Sequence, residues 1–416
     1  MKPRPDAATP RVPPRYFALF VLLYAVQGVV FAYFVNFILG YMVAGGLGDD
    51  AARNVQSIAM LPFVFKFLAG PFSDRFNLLG LGHRKPYIAL GLLAQAAGLV
   101  LLTVVHPAHH LGLFTFLALL TVGGLALFDT CTDGMIVDIT PPDDRSRVQG
   151  ALMFARFLTA TLFAYLFGLW LERTGTGPGQ GAGVLWACAG LTLVPLAMTL
   201  MLPEPRRSPL AERFSWAALE VLIRPRSLVL LAFGTFYSIV AWGVEINLPL
   251  YYQHQGFGPQ QIGELGAVRN LGRAAGGLLM PLGVAWLGRR WVLRVAVLGL
   301  MATEAAQALR GGPIVTGLLG FAFGAANGWT DALFYVLAME ASDPRLAAST
   351  YALFMAVSNL SVTGGSLFGV LSKGFDGRFG PTFLAAALLT GFALILIRPL
   401  SCPPAAEPEP AYAPAT

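Results

Sequence analysis

Twelve runs of about twenty mainly apolar residues, each long enough to cross a bilayer as a helix, dominate this chain. They fall near 16–43, 54–72, 86–105, 112–138, 149–171, 183–202, 227–252, 260–287, 291–309, 312–338, 349–371 and 380–399. In hydrocarbon each segment must satisfy its own backbone polar groups, so spans of this length are helices. The expected fold is all-α and integral to the membrane. Composition agrees: the 416 residues are 56% hydrophobic and 12% charged, and a soluble domain of this size needs roughly twice that charge fraction.

The net charge of +6 does not point to nucleic acid, because the arginines sit in short clusters between apolar runs and leave no basic face. Nineteen of the 28 Lys and Arg lie in the N-terminal tail or on its side of the membrane, and five lie opposite: Arg53, Arg173, Arg310, Lys373 and Arg378. The positive-inside bias therefore puts both termini in the cytoplasm of a multi-pass protein of the cytoplasmic (inner) membrane. The first apolar run is too long for a signal-peptide core and lacks a small-residue cleavage site, so it reads as an anchor that stays behind a cytoplasmic tail at 1–15. A charged stretch, 203–226, divides the chain into bundles of six spans at 16–202 and 227–400; within it "FSWAALEVLI" suggests an interfacial amphipathic segment. The Pro/Ala-rich end, 401–416, is expected to be disordered.

Several chemistries are disfavoured. Cys131, Cys188 and Cys402 form no CxxC or metal-ligand spacing, and "HPAHH" reads as a solvated loop. No nucleophile–base pair or Walker motif occurs, so an enzyme or an ATP-driven pump is not expected, nor is a cofactor or metal.

The halves repeat. "LFDTCTDGMIVDITPPDDR" (127–145) overlies "WTDALFYVLAMEASDPR" (329–345) at an offset of 202, matching Asp129 to Asp331 and Asp138 to Glu340. "FKFLAG" (65–70) overlies "LGRAAGG" (271–277), which brings Lys66 within one residue of Arg273. Parallel six-span repeats imply two bundles rocking about a central site, the architecture of a transporter.

Two segments carry a family resemblance. "PFVFKFLAGPFSDRFNLLGLGHRKPY" (62–87) resembles the signature between the second and third spans of the major facilitator superfamily, within the branch of AmpG-type muropeptide permeases, acetyl-CoA transporters and folate-biopterin transporters. "ALFDTCTDGMIVDITPPDDRSRVQG" (126–150) is similar to the fourth span of the same branch. His83 replaces the usual first basic residue of the triplet, and Ala69 stands where a tryptophan is common. The resemblance implies twelve spans in two pseudo-symmetric six-helix bundles, secondary transport, and import. The residues themselves suggest a conformational latch: Gly70 allows close packing, and the charges of Asp74, Arg75, Arg84, Lys85 and Arg145 can hold the cytoplasmic side of one half against its neighbour.

Ionisable groups at bilayer depth cost roughly 2.5–3.5 kcal/mol each on insertion scales, so each needs a reason. Asp129 and Asp133 share a helix face, and Lys66 and Arg156 fall at similar depth, which suggests a neutral cluster; Arg269, Arg273 and Asp331 form its counterpart. Pairs kept in both halves, Lys66 with Asp129 and Arg273 with Asp331, read as struts. Groups without a repeat partner are better candidates for function. Laying "YAVQGVVFA" (24–32) over "YSIVAWGVE" (237–245) matches Glu245 to Ala32, while Asp133 meets Tyr335 or Leu333 and Arg156 meets Ala356. Glu245 and Asp133 are therefore the candidates for proton coupling, the rival for Glu245 being a static pair with Arg269 or Arg273. Glu304 reads as structural or lipid-facing. Tyr24, Gln27, Tyr33, Asn36, Tyr237, Trp242, Asn247, Asn327 and Trp329 supply aromatics and amides suited to an amphipathic solute, with interhelical packing as their alternative role.

The reading is a monomeric, proton-coupled secondary transporter of an amphipathic, anionic organic solute; the alternative is a transporter-like assembly factor without flux. For the topology, cysteines introduced at Ser208 and His109 are expected to react with impermeant thiol reagents from opposite sides of the membrane. Labelling of both from outside would overturn the twelve-span arrangement.

Overall fold

The structure is a computed structural model. It describes residues 11–69, 72–73, 76–80, 82–141, 144–204, 223–341, 354–356 and 359–401. Among these there is helix and no strand. The first half comprises α1 (Pro14–Asn36), α2 (Ile38–Ala44), α3 (Asp49–Met60), α4 (Pro62–Phe65), α5 (Lys85–Leu102), α6 (Leu111–Ile139), α7 (Arg145–Thr174) and α8 (Ala182–Met201). The second comprises α9 (Pro225–His254), α10 (Pro259–Leu287), α11 (Arg289–Ala306), α12 (Pro313–Ala341), α13 (Gly364–Lys373), α14 (Phe379–Gly391) and α15 (Ile397–Ser401). Successive spans reverse direction, so the loops fall on two sides: a terminal side, where α1 begins, and a far side, where it ends.

Among the described residues, eight spans are long and apolar enough to cross a membrane by length and composition alone. The other four expected spans are the second and those of α10, α11 and α12. Charges at Arg269, Arg273, Arg294, Glu304 and Asp331 dilute the last three, yet α10 with its 29 residues is about 43 Å long, enough to span. The second span, expected as one helix, is interrupted. Pro62 has no amide hydrogen to donate, α3 stops at Met60, and Lys66 falls in a 3-10 turn, Lys66–Leu68. Gly70, Asp74 and Arg75 of the expected latch, most of the amphipathic "FSWAALEVLI", and 402–416 lie outside the described residues.

Within each half the helices pack side by side, α1 along α7, α5 along α6 and α8, and α10 along α12. Lipid supplies no hydrophobic drive for such pairs, so close backbone approach must do it. The α10–α12 pair has that approach: a Cβ on Gly324 or Gly328 would overlap the carbonyl oxygens of Arg269 and Arg273. Both arginines are thereby fixed against the helix that carries Asn327 and Asp331.

The bonds that join the two halves between described residues cluster on the far side. Arg53 donates to Asn247 Oδ1 at 2.6 Å, His254 meets Asp49 at 3.0 Å, and Lys373 meets Asp50 at 3.3 Å. The Ser366 amide donates to Ser57 Oγ at 3.1 Å, and the Gln260 amide to Glu172 at 3.2 Å. Arg53, expected in a loop, instead lies in α3 and is buried. Aspartates three and four residues before it hold its guanidinium, at 3.0 and 3.6 Å. Beside this network α7 and α10 touch backbone to backbone, and a Cβ on Gly263 would overlap the carbonyl oxygen of Ala164.

Gly263→Val is therefore expected to wedge the far side open. In that variant a cysteine at buried Ser57 should react with an impermeant reagent severalfold faster than in the parent; equal rates would show that this contact does not hold the closure.

Candidate functional site

In the first half the site is built on α1, the 3-10 turn after Pro62, and α6. Lys66 Nζ donates to Asp129 at 3.1 Å, and the Gln27 side-chain amide from α1 donates to the other Asp129 oxygen. One turn along α6, Asp133 accepts only the Tyr24 hydroxyl, at 2.5 Å, and makes no ion pair among the described residues. Arg156 does not join an acid there either. Its guanidinium lies 4.9 Å from the Phe31 ring centroid, a cation–π contact.

The second half repeats the cation–aspartate pair on α9, α10 and α12, with Glu245 rather than a counterpart of Asp133 as its second acid. Arg273 donates to Asp331 at 2.7 Å, and the Tyr237 hydroxyl donates to the same carboxylate at 3.1 Å. Tyr24 and Tyr237, matched in the sequence repeat, thus each hydrogen-bond an aspartate of their own half. Glu245 sits between two arginines, 3.0 Å from Arg273 and 3.6 Å from Arg269, and also accepts from Asn327 at 3.2 Å. Arg269 in turn reaches across to α1, donating to Asn36 Oδ1 at 2.9 Å.

The side chains of Lys66, Arg273 and Asp331 retain 22%, 21% and 18% of their surface. Hydrocarbon would not tolerate that much exposed charge at mid-depth. Such charge calls for a polar neighbour, and an aqueous space between the halves is the expected one. The aromatics and amides expected to line it are mostly buried in interhelical contacts: Tyr24, Gln27, Asn36, Tyr237, Asn247 and Asn327 all carry hydrogen bonds to other helices or to their own. Tyr33 Oη, Trp242 Nε1 and Trp329 Nε1 are buried without a hydrogen-bond partner. Asn247 belongs to the far-side closure through Arg53. Glu304 does not face lipid; it is fully buried between α11 and α14, accepting from Thr390 Oγ1 at 2.7 Å.

On the terminal side the two halves again mirror one another. Arg84, opening α5, pairs with Asp138 at 3.3 Å, and Arg289, opening α11, pairs with Glu340 at 2.6 Å. Asp138 and Glu340 are the acids that the 202-residue offset matches. Beside Arg84 the backbone amides of His83, Arg84 and Lys85 converge on the Glu204 carboxylate at 2.7, 2.9 and 3.2 Å, an anion site at a helix start. Lys85 Nζ donates to the carbonyl of Leu200 at 2.9 Å. Arg145 opens α7, its side chain being outside the description. Sequence reasoning missed both Glu204 and Arg53. Arg53 follows "DD" at helical spacing, a usable signal; nothing local connects Glu204 to residues about 120 positions earlier. Among the described residues no group of three or more His, Cys, Asp or Glu is placed to hold a metal.

Comparison with known proteins places this geometry. The nucleoside transporter NupG superposes with a TM-score of 0.71 at 14% identity, covering 93% of this chain and 98% of that one. A bacterial homologue of the human lysosomal transporter Spinster, inward-facing and unoccupied, gives 0.69 at 16% identity over 93% and 95% of the two chains. A D-xylose–proton symporter gives 0.69 at 16% over 92% and 99%. No curated protein matches the sequence significantly. At these identities the structural likeness shows the fold; the profile of the Major Facilitator Superfamily matches residues 16–366, and the chain belongs to that family.

Proposed function

We propose that this protein is a secondary active transporter that moves an amphipathic, anionic organic solute across the cytoplasmic membrane by alternating access, coupled to protons. The observation that carries this reading is the closed far side set against charge clusters that keep accessible surface at mid-depth. With the termini in the cytoplasm, as the distribution of basic residues favours, this is an inward-facing state. Rocking the halves would break the Arg53–Asn247 and Arg269–Asn36 contacts and expose the same clusters outward.

The anionic character of the solute is supported by the donors left over in the second half. Trp242 Nε1, Arg269 Nη1 and Trp329 Nε1 are buried and lack acceptors. A carboxylate or phosphate brought to Arg269 would satisfy its free Nη1. Such an anion would compete with Glu245 for the two guanidinia, leaving that carboxylate free to take the coupling proton. Asp133, held only by a tyrosine hydroxyl, is the second proton site. The organic part of the solute would lie against the aromatic residues of α1 and α9. Lys66–Asp129 and Arg273–Asp331 serve as struts, and the Arg84, Lys85 and Arg145 region, with Gly70, Asp74 and Arg75, serves as the latch of the terminal side.

The test is uptake of a metabolite panel into vesicles with an imposed pH gradient; absence of flux for every solute would favour an assembly role. Glu245→Gln and Asp133→Asn are each expected to abolish gradient-driven accumulation while preserving solute exchange. A stable variant that accumulates at parental level would remove that residue from the coupling. Asp331→Asn, by contrast, leaves Arg273 short of a charge partner. Because Glu245 still pairs with Arg273, it should lower stability by about 2 kcal/mol, the scale of hydrogen bonds to a charged group, and impair both transport modes alike; an unchanged melting temperature would argue against the strut.

A further inference from the structure

α11 and the end of the chain leave a basic groove between them on the terminal side. Its volume is about 370 Å3, and it is lined by Arg290, Arg294, Leu298, Leu394, Ile397 and Arg398. Arg290, Arg294 and Leu298 recur every four residues, so they form one row along α11. Read from the helix start inward, the row runs charge, charge, hydrocarbon. Arg398 faces it from α15, with Leu394 in the preceding 3-10 turn.

The guanidinia of this groove are uncompensated among the described residues. Their neighbour Arg289 is occupied by Glu340 at 2.6 Å and by the Leu400 carbonyl at 3.0 Å. Arg290, Arg294 and Arg398 make no ion pair with any described residue; Arg294 lies 4.6 Å from the centroid of the Trp291 ring. Trp291 is itself exposed, as tryptophans at a membrane–water interface are. Three like charges around one small space repel unless an anion sits among them.

We propose that this groove binds an anionic phospholipid of the leaflet on the terminal side. The phosphate would lie among Arg290, Arg294 and Arg398, and an acyl chain would run along Leu298 and Leu394. The apolar continuation of the row favours a lipid over a soluble phosphate, which has no use for it. This site lies on the outer surface of the second half and shares no residue with the central charge clusters, so it stands independently of the transport reading.

The experiment is native mass spectrometry of the full chain in detergent, offered equal amounts of phosphatidylglycerol and phosphatidylcholine. The parent should retain phosphatidylglycerol preferentially. The Arg290→Gln/Arg294→Gln/Arg398→Gln variant should lose that preference by about tenfold or more, while Lys2→Gln/Arg4→Gln/Arg11→Gln, which removes equal charge elsewhere, should keep it. Leu298→Asn leaves the charges intact and should weaken lipid retention without changing any effect of inorganic phosphate on melting temperature. Undiminished retention in the triple arginine variant would overturn the proposal. So would stabilisation of the parent by inorganic phosphate as large as that by phosphatidylglycerol, which would assign the groove to a soluble anion.

Discussion

Asp129 and Asp331 stand at bilayer depth, one in each half, and each is met by a cation from a neighbouring element, Lys66 at 3.1 Å and Arg273 at 2.7 Å. An isolated charge there would cost several kcal/mol, so the helices carrying these groups must come together wherever else they go. Much of the architecture follows from that requirement. The second span breaks at Pro62, and Lys66 enters the cluster from a short turn rather than a straight helix. α12 meets α10 at glycines, close enough for the backbone of Arg269 and Arg273 to touch it.

On this symmetric frame the two halves differ by their added charges. The second half adds Glu245 and Arg269 in a compact network with Asn327, closed across the interface by Asn36. The first adds Asp133 and Arg156, which do not pair: one is held by a tyrosine hydroxyl, the other by an aromatic face. A two-fold repeat explains what is shared. It does not explain these additions, and selective recognition of an asymmetric solute needs such differences.

The terminal side carries a second mirrored pair, Arg84–Asp138 and Arg289–Glu340, each tying the start of the third span in its half to the end of the fourth. The far side instead uses bonds between halves, with Arg53 at their centre. Ion pairs within a half survive a rocking motion, whereas bonds between halves are the ones such a motion must break. The distribution of the two kinds is what a two-state device requires.

Most spans and the matching of Asp129 to Asp331 by repeat were legible in the residues, because hydrophobic length and a 202-residue offset are one-dimensional quantities. The identity of the mid-depth charges was legible for the same reason: a charged residue in an apolar run stands out whatever its surroundings. Their partners were only partly legible. Glu245 could be matched to Arg269 or Arg273, but its place between both depends on how α9, α10 and α12 meet. Arg53 looked like a loop residue because a composition count cannot see burial, and Glu304 stayed open between a structural and a lipid-facing role because the sequence does not say which neighbour covers it. Glu204 gave no signal, since three backbone amides can converge on one carboxylate only after the chain has folded. Sequence by itself thus determined which residues had to leave water and which charges had to go with them, since transfer into hydrocarbon is a property of each residue. Tertiary structure alone decided which charges meet and which side is closed, since ion pairs and backbone contacts act over a few ångströms and join positions far apart in the chain.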